Sequence, residues 1–455
     1  MFNIPLPEFN TGIGFHYFPD ETHYRAKDAQ AWVPELKALG ASWLTVRASP
    51  ERAIPESFLR PLIEAGIEPI IHVPLTPIRP IDEEALTTLY RSYARWGAHY
   101  VVLYDQPNRR SSWAADHWSR ESLVNRFLDL LLPGLQLAHR HGLVPVFPPL
   151  AQGGDYWDTS FLDAAINLLQ KRGQAQLLKE MVFAVNGFAS NRPVEWGAGG
   201  AARWTTSQPY TTPPGSQDQR GFRAFEWYAE IIRARLGDPR PLLMLAGGAV
   251  VGDSDEPIFP QVDPLRHALC NMAIARAARE RTLPTYLTNV SFWLLASEDD
   301  DPHAAAAWYR GDGSTLAVVG ELKKLAAAAV QTAAAAARET PRASRPATAP
   351  NGHKPIYHYV LLPTFEWGIS DWHWSAALDY VRKFQPACGF SVAEAQAAKF
   401  VTIVGNEQGI SAAAEDALRA AGCAVERVQG RDGNETWSLL RELANTGKRF
   451  ATLAD

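Results

Sequence analysis

The chain has only three cysteines, Cys270, Cys388 and Cys423, which lie far apart and form no CxxC pair. That spacing excludes a thiolate zinc site and a disulfide-stapled scaffold. A long apolar run is also missing. The best candidate, the alanine-rich stretch 325–337, contains Gln331 and Thr332 and falls short of the roughly 18 apolar residues that cross a bilayer. Neither sign of charge dominates: a net charge of −5 and a pI near 6.2 argue against a general nucleic-acid or anionic-membrane binder. The opening MFNIPLPEFNTG has no basic segment followed by an apolar one, so no secretory leader is expected. As written the chain reads as cytoplasmic, and as extracellular or cell-surface if its N-terminus has been trimmed.

What is present is the composition of a soluble globular protein, 46% hydrophobic and 20% charged, long enough at 455 residues for two domains. Fifteen Trp, 14 Tyr and 19 Phe are its most distinctive feature. Flat rings stack on the C–H faces of sugars, although core packing accounts for most of them.

Short apolar runs recur along the chain, each followed by an amphipathic stretch, the pattern of βα units on a parallel sheet. The expected strands are 12–18, 42–48, 68–75, 100–106, 143–150, 181–188, 241–248 and 290–297. Eight such units within residues 1–328 predict a (β/α)₈ barrel. An Ala/Pro-rich linker follows over 329–353; its alanines continue the last helix, while Pro341, Pro346 and Pro350 break it. Residues 354–455 alternate β and α again, which predicts a small flavodoxin-like or Rossmann-like domain.

Barrel chemistry sits at the C-terminal ends of the strands. The segment YVVLYDQPNRRSSW is similar to the strand-4 signature of clan A glycoside hydrolases, an apolar strand ending in Asn-Glu-Pro with a Trp in the next loop. Here Gln106 stands at the acid/base position, with Asn108 and Trp113 behind it. PLLMLAGGAVVG resembles the strand-7 segment, with Ala246 at the nucleophile position. Arg47, His72 and Trp293 match the strand-2 Arg, strand-3 His and strand-8 Trp of family 5 and related members; strand 6 departs, with Asn186 and Phe188. The resemblance implies a sugar cleft lined by Arg47, His72, Gln106, Asn108, Trp113, Trp157, Asn186, Trp196 and Trp293. Retaining hydrolysis needs two carboxyl groups roughly 5–5.5 Å apart, and an amide and a methyl group supply neither. The expected function is a catalytically impaired, glycan-binding barrel whose partner is an oligo- or polysaccharide, with no cofactor and no metal.

Two alternatives stand beside it. One is an active hydrolase using Asp105, Asp155 or Glu256: a one-residue slip on strand 4 would present Asp105, and a different strand-7 alignment would bring in Asp253 or Glu256. The other is a non-enzymatic scaffold. In that case Arg47 is a rim ion pair, His72 a core histidine and Trp293 a core plug. Further constellations are His16, Asp20 and His23 as metal ligands, Gly247-Gly248 as a phosphate cradle, and Glu298–Asp301 as a cation site or a solvated loop.

Residues 401–444 resemble one copy of the type 2 cell-wall-binding repeat, in V-T-I-V-G, A-A-G, V-E-R-V-x-G and E-T, although such repeats work in threes. The resemblance implies contact with a cell-wall polymer through 354–455. Phe365, Trp367, Trp372 and Trp374 form an aromatic-rich span that packs on the barrel or serves as a binding platform.

Overall fold

A computed structural model describes residues 4–339, 354–365, 368–369, 371–431 and 433–454. The chain divides into two compact units, Met1–Thr340 and Pro341–Asp455.

The first unit is a closed barrel of eight parallel strands in chain order. They are β1 (Ile13–His16), β2 (Trp43–Arg47), β3 (Glu68–Val73), β4 (Tyr100–Leu103), β5 (Val144–Phe147), β6 (Val182–Phe188), β7 (Leu242–Gly248) and β8 (Leu287–Phe292). The principal helices are α1 (Ala26–Ala38), α2 (Glu56–Glu64), α3 (Glu83–Trp96), α4 (Leu123–Arg140), α5 (Asp158–Lys171), α6 (Ala224–Leu236), α7 (Pro264–Arg279) and α8 (Ala317–Glu339). The expected (β/α)₈ barrel followed by a small α/β domain is therefore the fold.

Side chains alternate across each strand. Trp43, Ile70, Tyr100, Val102, Val146, Ala184 and Leu243 fill the barrel interior. Their neighbours Leu44, Ile71, Val101, Leu103, Phe183 and Met244 pack outward against the helices. Because both faces are buried, the strands are continuous apolar runs in the sequence. Helix boundaries follow local chemistry: Asp82 accepts from the Ala85 amide at 2.8 Å to cap α3, which ends at left-handed Gly97. The alanine-rich stretch continues the last barrel helix to Glu339, as its composition predicts. Pro341, Pro346 and Pro350 lie outside the described residues.

Most strands are shorter than the sequence expectation, and three differ most. β5 stops at Phe147 rather than Leu150. β8 occupies 287–292 rather than 290–297. β4 stops at Leu103 rather than Gln106, because Tyr104 and Gln106 take positive φ values of 67° and 44° and leave the pleat.

In the second unit β9 (Ile356–Leu361), β10 (Ala387–Gly389), β11 (Ala398–Val404) and β12 (Ala424–Val428) form a parallel sheet of order β10-β9-β11-β12. Tyr359, Leu361, Val401 and Ile403 pack on one face with Leu418, and Val360, Leu362 and Val404 on the other with Tyr380 and Leu440. This is a doubly wound layer. Trp367 lies outside the described residues, as do the side chains of Phe365, Trp372 and Trp374.

Candidate functional site

The inner face of each strand, followed to its C-terminal end, gives the floor of the barrel mouth. On β1 a Cβ added to Gly14 would meet Trp43 and Ser291 at 2.8 Å, so Gly14 faces the axis and His16, two residues on, does too. The same alternation carries Trp43 to Arg47, Ile70 to His72, and Ala184 to Asn186. Arg47 and His72 are paired in register. Trp293 follows β8; its ring lies 4.6 Å from that of His16, with edge contacts to His303 at 5.3 Å and Phe188 at 6.3 Å.

β7 reaches the floor by an irregularity. Val185 pairs with Met244, but Asn186 pairs with Ala246, so one residue, Leu245, is skipped. Cβ atoms added at Gly187 and Gly247 would strike Met244 at 2.3 and 2.8 Å, on the helix side. Ala246, between them and opposite Asn186, therefore faces the interior. These contacts also explain Gly247: its Cβ would sit 2.7 Å from the Gly187 carbonyl, so close packing requires glycine there.

At β4 the left-handed Tyr104 turns its ring outward, where its hydroxyl donates to the Arg79 carbonyl at 3.0 Å and its edge meets Phe127. The next residue, Asp105, comes under the field of His72, Arg47 and Arg109. Asp105 is thus within electrostatic reach of the groups at the strand ends. Gln106 has its backbone tied to Pro149 and Arg109.

Burial of its titratable groups sets the protonation of the bowl. Burial raises the Asp105 carboxyl, against the lowering pull of His72, Arg47 and Arg109. Burial, then His72, Arg47 and His303, holds the His16 imidazole well below its ordinary value. His72 is lowered by burial and Arg47, against Asp105 and the Tyr104 carbonyl. That carbonyl, 3.0 Å from Nε2, can only accept, so Nε2 carries the proton and the neutral ring keeps Nδ1 as an acceptor. The His16 Nδ1 atom is buried without a hydrogen-bond partner.

The other expected site residues lie elsewhere. Asn108 is fully buried and latches two loops through the Ala151 amide and the Ala151 and Tyr156 carbonyls. Trp113 packs against Phe127 of α4, its indole N–H donating to the Pro107 carbonyl at 2.8 Å. Trp157 sits between Tyr210 and Arg220 and lines a separate cavity of about 420 Å³ with Trp227 and Gln219. Trp196 donates to Asp218 and meets Phe259 edge-on. Asp155 accepts from the Arg110 amide, and Glu256 pairs with Arg192 at 3.1 Å, both on rim loops. His23 bridges Asp20 and Glu298 at 2.9 Å while His16 turns into the bowl; the described residues contain no group of three metal ligands.

Sequence reading put His16 on the first βα loop as a metal-ligand candidate and did not place His303 or Arg109. His16 was detectable, since GIGFH ends on the same inner phase as WLTVR and EPIIHV. His303 and Arg109 come from loops, where no periodicity applies.

No protein-family model matches the chain, and no curated protein does. Solved structures with a similar fold include a monomeric β-xylosidase from Caulobacter crescentus CB15, at 12% identity over 70% of this chain and 68% of that one, TM-score 0.45. Another is a family 39 glycoside hydrolase from Bacteroides cellulosilyticus WH2, at 11% identity over 70% and 63%, TM-score 0.47. A third is a family 128 endo-β-1,3-glucanase from Sorangium cellulosum, at 14% over 67% and 96%, TM-score 0.40. The barrel itself rests on its strand pairing, and any function on the residues of the bowl.

Proposed function

We propose that the barrel binds a saccharide at the C-terminal mouth of the strands without hydrolysing it by a retaining mechanism. The observation that carries this is one ring of inward-facing groups: a half-buried indole, Trp293, level with Arg47, His72 and Asn186, with Asp105 within electrostatic reach. An apolar plate beside charged donors and neutral acceptors suits a ligand with apolar C–H faces and hydroxyl edges. Asp105 is the only carboxylate on these strand ends, and Ala246 offers no nucleophile. Calorimetric titration with a broad panel of plant and bacterial oligosaccharides tests this. We expect a ligand whose affinity falls at least tenfold in Trp293→Ala. No ligand across the panel would favour the scaffold alternative.

A second reading rests on Asp105 alone. A carboxyl raised by burial keeps its proton further up the pH scale than an ordinary aspartate, as a general acid requires. In that reading the protein is a hydrolase whose second carboxylate comes from a rim loop, Asp155 or Glu256. For the C-terminal unit we propose contact with a cell-wall polymer, on the resemblance of residues 401–444.

A further inference from the structure

The arginines around the mouth have unusual company. Arg47 is half-buried, yet among the described residues its guanidinium has no hydrogen-bonded or ion-paired partner; Arg109, likewise without one, is exposed to solvent. With His16 and His72 neutral, the bowl carries two guanidinium charges against the one carboxyl of Asp105, itself reluctant to ionise.

A second cavity, of about 380 Å³, lies among the first two βα loops, between Tyr24, Ser49 and Ile54, next in sequence to Arg47. Its wall is bonded to the ends of β2 and β3: the Tyr24 hydroxyl donates to the Arg47 carbonyl at 2.6 Å, and the Ala48 amide donates to the His72 carbonyl at 2.7 Å. Arg25 and Arg52 line it, and Glu21 is its only acid. Arg52 reaches the Glu21 carbonyl at 3.4 Å, and neither arginine is in an ion pair among the described residues. The nearby acids are engaged elsewhere: Glu51 with Ser49 and Arg79, Asp20 with His23, and Asp28 with the Arg25 amide.

A half-buried guanidinium without a carboxylate, as at Arg47, is poised for one from a ligand, because its fork matches a carboxylate bidentately; Arg25 and Arg52 are exposed and offer the same fork at the surface. We propose that the saccharide is acidic, a chain carrying uronate carboxylates, with one carboxylate read by Arg47 in the bowl and another by Arg25 and Arg52 in the second cavity. This rests on the saccharide-binding reading above and names its ligand class.

The test uses the full chain and pairs of ligands that differ only in charge: polygalacturonate, alginate and glucuronoxylan oligomers, each as free acid and as carboxyl-reduced or methyl-esterified form, with a neutral oligosaccharide panel alongside. Calorimetry at two salt concentrations should show at least one free acid binding tenfold or more tighter than its neutral twin, with the gap narrowing in salt. Arg47→Gln and the double variant Arg25→Gln/Arg52→Gln should each reduce that gap. Thermal melts matching the parent confirm that each variant is folded, and whichever variant is folded decides the outcome. Equal binding of charged and neutral twins, or binding of neutral glycans alone, overturns the acidic-ligand proposal and leaves the saccharide reading standing. Absence of binding to every glycan, charged or neutral, overturns both.

Discussion

Asn186 on β6 and Ala246 on β7 are paired in register across a bulge, and that pairing turns the Ala246 methyl group into the barrel mouth. On the proposed alignment, the residue at the nucleophile position carries only a methyl group, which cannot attack an anomeric carbon. We expect no release of aglycone from aryl β-glycosides or cleavage of common β-glucans, since a general acid contributes about 10²–10⁴ in rate and the nucleophile is missing as well. Turnover that survives purification and disappears in Asp105→Asn or Glu256→Gln would establish the second reading instead.

Asp105 should be a stability liability at neutral pH. Its folded value lies above the ordinary aspartate value of 3.8, so the carboxyl favours folding in acid, and stability declines as pH rises through the window between the unfolded and folded values. Asp105→Asn removes that term. Its melting temperature at pH 7 should exceed the parent's, and the two should converge near pH 3. A variant less stable than the parent at pH 7 would mean that Asp105 is held ionised by Arg47 and His72.

His267 on α7 offers a separate pH probe, away from the bowl. It is fully buried against Trp308, neither ring nitrogen has a partner among the described residues, and burial lowers it from 6.5 to about 4. A neutral buried imidazole costs nothing above pH 6.5. As the pH falls from 6.5 toward 4 the unfolded chain takes up a proton that the folded one refuses, so up to about 3 kcal/mol of stability is lost over that window. His267→Leu should flatten the denaturation midpoint across pH 6.5–4 by a measurable part of this. An unchanged slope would show that the imidazole is solvated or protonated in the fold.

Limited proteolysis should cut within 338–353 and leave two folded fragments. The segment holds three prolines and few apolar anchors, whereas each unit has its own buried clusters. Fragments that lose cooperative melting after the cut would show that each depends on the other.

Much of the architecture was fixed by local chemistry. The eight βα repeats were visible because a strand buried on both faces must be apolar throughout, and its helix must carry a 3.6-residue stripe. Arg47, His72, Asn186 and Trp293 were proposed as cleft residues on the family resemblance; that Arg47, His72 and Asn186 share the inner phase of their strands follows from the period-2 alternation.

Only the tertiary structure decided what happens where a strand leaves its pleat. A non-glycine residue at positive φ has no reliable sequence signal, yet Tyr104 at 67° and Gln106 at 44° end β4 early, turn the Tyr104 ring outward and bring Asp105 under the field of His72 and Arg47. The fate of the tryptophans was equally hidden. Composition counts indoles, but contacts between distant segments, Trp113 with Phe127 and Trp157 with Tyr210, bury them in loops and helices and leave Trp293 at the bowl. Sequence periodicity reports the face of an element, which is a local property. Which charges remain without partners is a sum over every loop that folds back on the barrel, and that sum exists only in three dimensions.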